Sequence, residues 1–286
     1  MKASLIFNPK GDDNVSSRTI IKWNTTGLFQ LNAVKYNWAK SLYQVMVWNF
    51  WVPEKVSGLW EDAVQFKSAL SEDERRAYKW ILSFLIFLDS IQTVNLPNFN
   101  DYITAPEVNL ILSIQAYQEA IHSQSYATML ETIVDSKERD EIYYFWRTDK
   151  HLLERNEFIW GIYQDFVDNP NDKNFFKWVI WNFLLESIYF YNGFAFFDTL
   201  ADQGKMVATD RMINYIRRDE LTHVTIFANI IKEIKSEFPE MYDEQMIIDM
   251  MDVAVKQEIK WSKHILGKNT IIVAVPFIIA GFVFGT

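Results

Sequence analysis

The sequence predicts an all-α protein, a bundle of long helices, and three observations predict it. Glycine and proline are scarce, nine and seven in 286 residues, so few turns are enforced. Apolar residues recur at helical spacing over long stretches, and nowhere alternate as in a half-buried strand. The breaks between those stretches are short, which makes successive helices neighbours in a bundle. With 49% hydrophobic and 16% aromatic residues, a sizeable core is affordable.

Residues 1–30 lack periodicity and are expected to be irregular, with the bundle over 31–267 and an apolar segment at 268–286. "LNAVKYNWAKSLYQVMVWNF" (31–50) has helical spacing and stops before Pro53. "SEDERRAYKWILSFLIFLDSIQTVNL" (71–96) opens with a serine cap and an acidic first turn, then turns apolar nearly all round, as a helix inside a bundle does. A helix over 106–134 starts at Pro106, where a missing N–H costs nothing. Residues 150–168 are amphipathic, and 172–202 form another core helix in which Gly193 marks a kink or a close approach. Helices over 208–238 and 242–266 complete the set. The final run "TIIVAVPFIIAGFVFGT" (270–286) is short for a membrane span and contains Pro276, so it is expected as a buried core segment and no membrane partner is expected.

The totals exclude some functions. A net charge of −9 argues against a nucleic-acid surface. The absence of cysteine excludes disulfides, thiolate ligands and cysteine catalysis within this chain. The start "MKASLIFNPKGDDN" is polar too early for a secretory signal, so the cytoplasm is expected.

The chemistry lies in six residues. Of four histidines, two occur in the same setting, Glu119-x-x-His122 and Glu220-x-x-His223, and a step of three puts both side chains on one helix face. Asp89 in "FLIFLDSIQ" and Glu186 in "WNFLLESIYFY" are carboxylates in helices too apolar to offer a solvated face, where an unpaired charge is costly. No Lys or Arg is embedded beside either, which counts against plain buried ion pairs. Asp89 precedes Glu119 by 30 positions and Glu186 precedes Glu220 by 34, so the chain reads twice as carboxylate helix, then Glu-x-x-His helix. That is the ferritin-like pattern, a four-helix dimetal core with additional helices around it. Four carboxylates and two imidazoles suit a pair of iron or manganese ions.

Tyr126 lies one turn beyond His122 on the ligand face, within reach of an oxidised metal centre. Its plain reading is a core tyrosine with a bonded hydroxyl. Phe190 and Phe194 follow Glu186 by four and eight, and Ile216 precedes Glu220 by four. They would form a dry apolar shell that protects a one-electron oxidised phenol, although each taken singly fits ordinary packing.

At "FWVPEKV", "FLDSIQ", "EAIHSQSY", "LLESIYFYNGF" and "RRDELTHV" the chain resembles the small, radical-generating subunit of class I ribonucleotide reductase, in that family's order over residues 30–265. The resemblance implies that Asp89, Glu119 and His122 bind one metal and Glu186, Glu220 and His223 the other. It implies a di-iron-oxo centre, with two manganese ions as the alternative. It makes Tyr126 the radical tyrosine, oxidised by an O₂-activated centre. Trp51 and Asp219 become an electron relay running through His122 toward the surface. The implied partners are a second copy of the chain, in a homodimer, and a large catalytic subunit whose cysteine radical reduces the ribonucleotide. The family's C-terminal tail, with its relay tyrosine and docking peptide, has no counterpart before Thr286. A ferritin-like oxidase acting on a small hydrophobic ligand would share the bundle and both Glu-x-x-His pairs, and a long apolar tunnel would favour it. An iron-storage protein would need sites open to ions and water.

Overall fold

The structure is a computed structural model that describes residues 1, 3–5 and 7–267. The apolar segment expected at 268–286 lies outside the described residues. Ten α-helices carry the described chain: α1 Asn37–Trp48, α2 Leu59–Ser68, α3 Glu72–Asn100, α4 Pro106–Ile133, α5 Ser136–Thr148, α6 Lys150–Asp168, α7 Asp172–Leu184, α8 Phe190–Asp202, α9 Val207–Glu237 and α10 Glu244–Leu266. A π turn, Leu185–Tyr189, joins α7 to α8. Among the described residues the one β feature is an isolated antiparallel bridge between Ile21 and Ile103.

The local signals do what their chemistry requires. Ser71 caps α3 in a reciprocal box, its hydroxyl accepting from the Glu74 N–H while the Glu74 carboxylate accepts from the Ser71 N–H. Pro106 opens α4. Asp149 closes α5 and caps α6, accepting from the Leu152 N–H, so the two helices meet at one residue. α3, α4, α9 and the run α7–π turn–α8 make the central bundle: α3 packs on α4 and α8, and α9 packs on α4, α7 and α8. α3 is long and apolar enough to cross a membrane, but 61% of its apolar window is buried in the protein.

Two helix starts are set by tertiary contacts, and one expected helix is interrupted. α1 begins at Asn37, because the N–H groups of Lys35 and Tyr36 both donate to Glu107 Oε1. Glu107 is itself held by Arg18 at 2.7 Å in a buried ion pair. The helix expected over 172–202 is broken at the π turn, one residue before Glu186. The start of α9 has no cap of its own; Asp62 of α2 accepts from the N–H groups of Ala208 and Thr209. The apolar face of 172–200 is absorbed by this chain's own core, whereas α1 and the residues after it keep Val45, Trp48 and Phe50 exposed.

Gly193 marks a close approach rather than a kink. A Cβ there would sit 2.9 Å from Leu85 Cδ2, inside the fully buried α3–α8 contact. Gly193→Val is therefore expected to cost about 1–3 kcal/mol by overpacking. Urea denaturation checks this, and an unchanged midpoint would show that α8 moves freely away from α3.

Candidate metal centre

Four segments converge on one solvent-free space. α3 brings Asp89, α4 brings Glu119 and His122, the π turn brings Glu186, and α9 brings Glu220 and His223; all six are fully buried. Their donor atoms form two groups, Asp89, Glu119, His122 and Glu220, and Glu119, Glu186, Glu220 and His223, each with atoms within 4.8 Å of one another. Glu119 and Glu220 occur in both. The resemblance implied a division of three and three, and spacing along a helix cannot show which carboxylates lie between two positions.

Both imidazoles turn Nδ1 inward. His122 Nδ1 lies 3.1 Å from Asp89 Oδ1, 3.1 Å from Glu220 Oε1 and 3.5 Å from Glu119 Oε2. His223 Nδ1 lies 2.6 Å from Glu220 Oε2, 3.3 Å from Glu119 Oε1 and 3.6 Å from Glu186 Oε2. The outer nitrogens are occupied differently: His122 Nε2 faces Asp219 Oδ2 at 3.3 Å, and His223 Nε2 donates to Gln118 Oε1 at 3.0 Å. That outer contact fixes which nitrogen carries the proton and which is free for a metal.

The residues fit a pair of cations. Asp89 Oδ2, both Glu119 oxygens, Glu186 Oε2 and Glu220 Oε1 are buried without a hydrogen-bond partner. Orphaned carboxylate oxygens in a dry core are expensive unless something positive accepts them. Iron and manganese accept this mixed oxygen and nitrogen set.

The titration behaviour has the same origin. Burial pushes the Asp89 carboxyl well up, against the pull of His122. Burial and then the charges of Glu220 and Glu119 do the same to Glu186. Burial alone would lower both imidazoles, but Glu220 and its neighbours more than reverse that and hold His122 and His223 well above the ordinary histidine value. Burial would raise Glu220 too, yet the two imidazoles beside it hold it below the usual carboxylate range. Without metal, imidazolium charges thus offset part of the cluster. A divalent ion must displace those protons to bind.

Tyr126 is fully buried one turn beyond His122, and its hydroxyl has no hydrogen-bond partner. Burial first, then the charges of Asp89 and Glu220, push its phenol well above the ordinary tyrosine value, so the ring stays protonated. Phe190 and Phe194 stack at 5.9 Å, and they and Ile216 are solvent-free. Trp51, 4% exposed, donates from Nε1 to Asp219 Oδ2 at 2.7 Å, and the same oxygen faces His122. The structure therefore joins Trp51, Asp219 and His122 in one polar chain.

Sequence reasoning passed over several neighbours. Gln92 and Gln115 both donate to Glu186 Oε1, at 2.5 and 2.9 Å. Gln92 lies three after Asp89 and Gln115 four before Glu119, so the test that singled out Asp89, a polar residue on the buried face of an apolar helix, would also have found them. Tyr163, which donates to Gln92 Oε1, carries no such signal. Neither does Tyr215, stacked on Trp51 at 4.9 Å.

Comparison with known proteins agrees with this geometry. The family model described as "Ribonucleotide reductase, small chain" matches residues 28–276. The "Ribonucleoside-diphosphate reductase subunit beta" of Treponema pallidum is 45% identical over 265 residues, 92% of this chain and 75% of that one. The protein of the same name from Aquifex aeolicus is 46% identical over 260 residues, 91% of this chain but only 37% of that one. The solved "Ribonucleotide reductase R2 subunit from Clostridium botulinum" superposes with a TM-score of 0.91 at 46% identity, covering 96% of this chain and 86% of that one.

Proposed function

The chain belongs to the ribonucleotide reductase small-chain family, and from that premise we propose that it is the radical-generating subunit of a cytoplasmic class I ribonucleoside-diphosphate reductase. The observation that carries the proposal is the buried cluster of four carboxylates with orphaned oxygens around two inward Nδ1 atoms. In this reading Asp89 and His122 would hold one ion and Glu186 and His223 the other, with Glu119 and Glu220, which belong to both groups, available to either. A bound iron or manganese pair supplies one-electron oxidising power drawn from O₂, which carboxylates and imidazoles lack.

The remaining roles belong to the side chains. Tyr126 loses an electron and its phenolic proton and stores the oxidising equivalent as a phenoxyl. Its burial keeps water and reductants away, and Phe190, Phe194 and Ile216 extend that dry shell. His122, Asp219 and Trp51 form the hydrogen-bonded route by which the equivalent leaves for the large catalytic subunit, where the nucleotide is reduced. The chain works as a homodimer, and the exposed apolar residues Val45, Trp48 and Phe50 offer a surface for the second copy. Neither nucleic acid nor a membrane takes part.

Reconstitution of the metal-free chain with Fe(II) and O₂, followed by EPR, tests this. A phenoxyl signal is expected in the wild type and none in Tyr126→Phe, with the same iron content in both. A wild type that takes up iron and yields no radical would move the reading to manganese. A signal that persists in Tyr126→Phe would remove Tyr126 from the role.

A further inference from the structure

Glu186 differs from the other acids of the cluster in two ways. It sits on a π turn, where the regular backbone ladder that positions a helical side chain is interrupted. It is also gripped by two neutral amides on the same oxygen, Gln92 from α3 and Gln115 from α4. Its other oxygen, Oε2, has no hydrogen-bond partner and faces His223 Nδ1 at 3.6 Å.

An amide can grip a carboxylate only with its nitrogen. Flipped, Gln92 would set its carbonyl oxygen against Glu186 Oε1. That repulsion sets the amide, and the Tyr163 hydroxyl, on α6, supports the gripping orientation by donating to Gln92 Oε1 at 3.1 Å. Its other acceptor, Asn182 Oδ1, is farther at 3.4 Å, and the Asn182 amide nitrogen is spent on the Trp178 carbonyl. Tyr163 is buried, and its phenol is held well above the ordinary value by burial and then by Glu186, so it remains a donor. Neutral donors also add no positive charge to the site, whereas a lysine in their place would compete with a cation.

We propose that Tyr163, Gln92 and Gln115 are positioning residues that tie down Glu186 Oε1, so that the carboxylate presents only Oε2 to the metal space. Tyr163 acts at one remove, by holding the Gln92 side chain in its gripping position. The proposal rests on Glu186 being a metal ligand, and its test separates the two claims.

The test is Mn²⁺ binding to the metal-free full chain by equilibrium dialysis against a competing chelator. The binding step that Glu186→Ala spares serves as an internal check on folding. In Gln92→Met and Gln115→Met the step that Glu186→Ala removes is expected to fall about 10–100-fold, as outer-shell substitutions do, with the other step nearly unchanged. Tyr163→Phe, which deletes one oxygen atom, is expected to weaken the same step in the wild-type background and to add nothing in the Gln92→Met background. A purely structural role would lower the thermal midpoint of the metal-free variants without separating the two steps. Unchanged affinities in both glutamine variants, with one step lost in Glu186→Ala, would overturn the positioning device and leave Glu186 as a ligand. Unchanged binding in Glu186→Ala would overturn both.

Discussion

Glu119→Ala and Glu220→Ala are each expected to leave the chain with almost no bound metal, whereas Asp89→Ala and Glu186→Ala should each retain half the complement. The asymmetry follows from the geometry, since Glu119 and Glu220 supply donor atoms to both groups while Asp89 and Glu186 each supply one. Elemental analysis after loading and desalting checks it. Equal losses in all four variants would mean that the two positions fill as one cooperative unit. The pH dependence has a definite sign. The folded-state pKa values of His122 and His223 are raised above the unfolded value of about 6.5. Their stabilising contribution is therefore complete below that value and disappears as pH rises through the folded values. Urea midpoints of the metal-free chain should fall toward alkaline pH for this reason.

Arg155→Met is expected to destabilise the fold by about 3–5 kcal/mol, the usual consequence of stranding one partner of a buried pair. Arg155 and Glu258 join α6 to α10 in a direct ion pair, with 4% of each residue exposed. The guanidinium lies 3.6 Å from the Phe84 ring centroid, 4.8 Å from that of Tyr189 and 5.3 Å from that of Trp261. Asn192 of α8 also donates to Glu258. Removing the arginine leaves the buried Glu258 carboxyl with one amide donor, Asn192. Arg155→Met combined with Glu258→Met should recover most of the loss, because the uncompensated charge then goes too. Urea denaturation of the two single variants and the double variant measures the coupling. A loss below about 1 kcal/mol in Arg155→Met would show that water reaches Glu258.

These two predictions draw on different kinds of information. The metal cluster was legible from the chain because its signals are local: an acid in an otherwise apolar run, and a Glu-x-x-His step that a helix turns to one face. The Arg155–Glu258 pair was not, since 150–168 reads only as an amphipathic helix and nothing in it names a partner 103 positions away.

The same division runs through the fold. α3 and α4 begin at positions that Ser71 and Pro106 announce, because capping chemistry acts within one turn. α2 and α5 are short and less apolar, and periodicity passed over both. The π turn that carries Glu186 is announced by no glycine or proline. By itself, then, the sequence determined the helical class, most of the long helices and the identity of the six inward-facing donors, since each depends on residues three to four apart. Only the tertiary structure decided that Glu119 and Glu220 lie between the two groups. It likewise decided that both imidazoles turn Nδ1 inward, and that three amides from α3 and α4 hold the outer face of the second group. Those arrangements depend on distances between helices 30 to 100 residues apart, which are set by how the four segments pack rather than by any spacing along one of them.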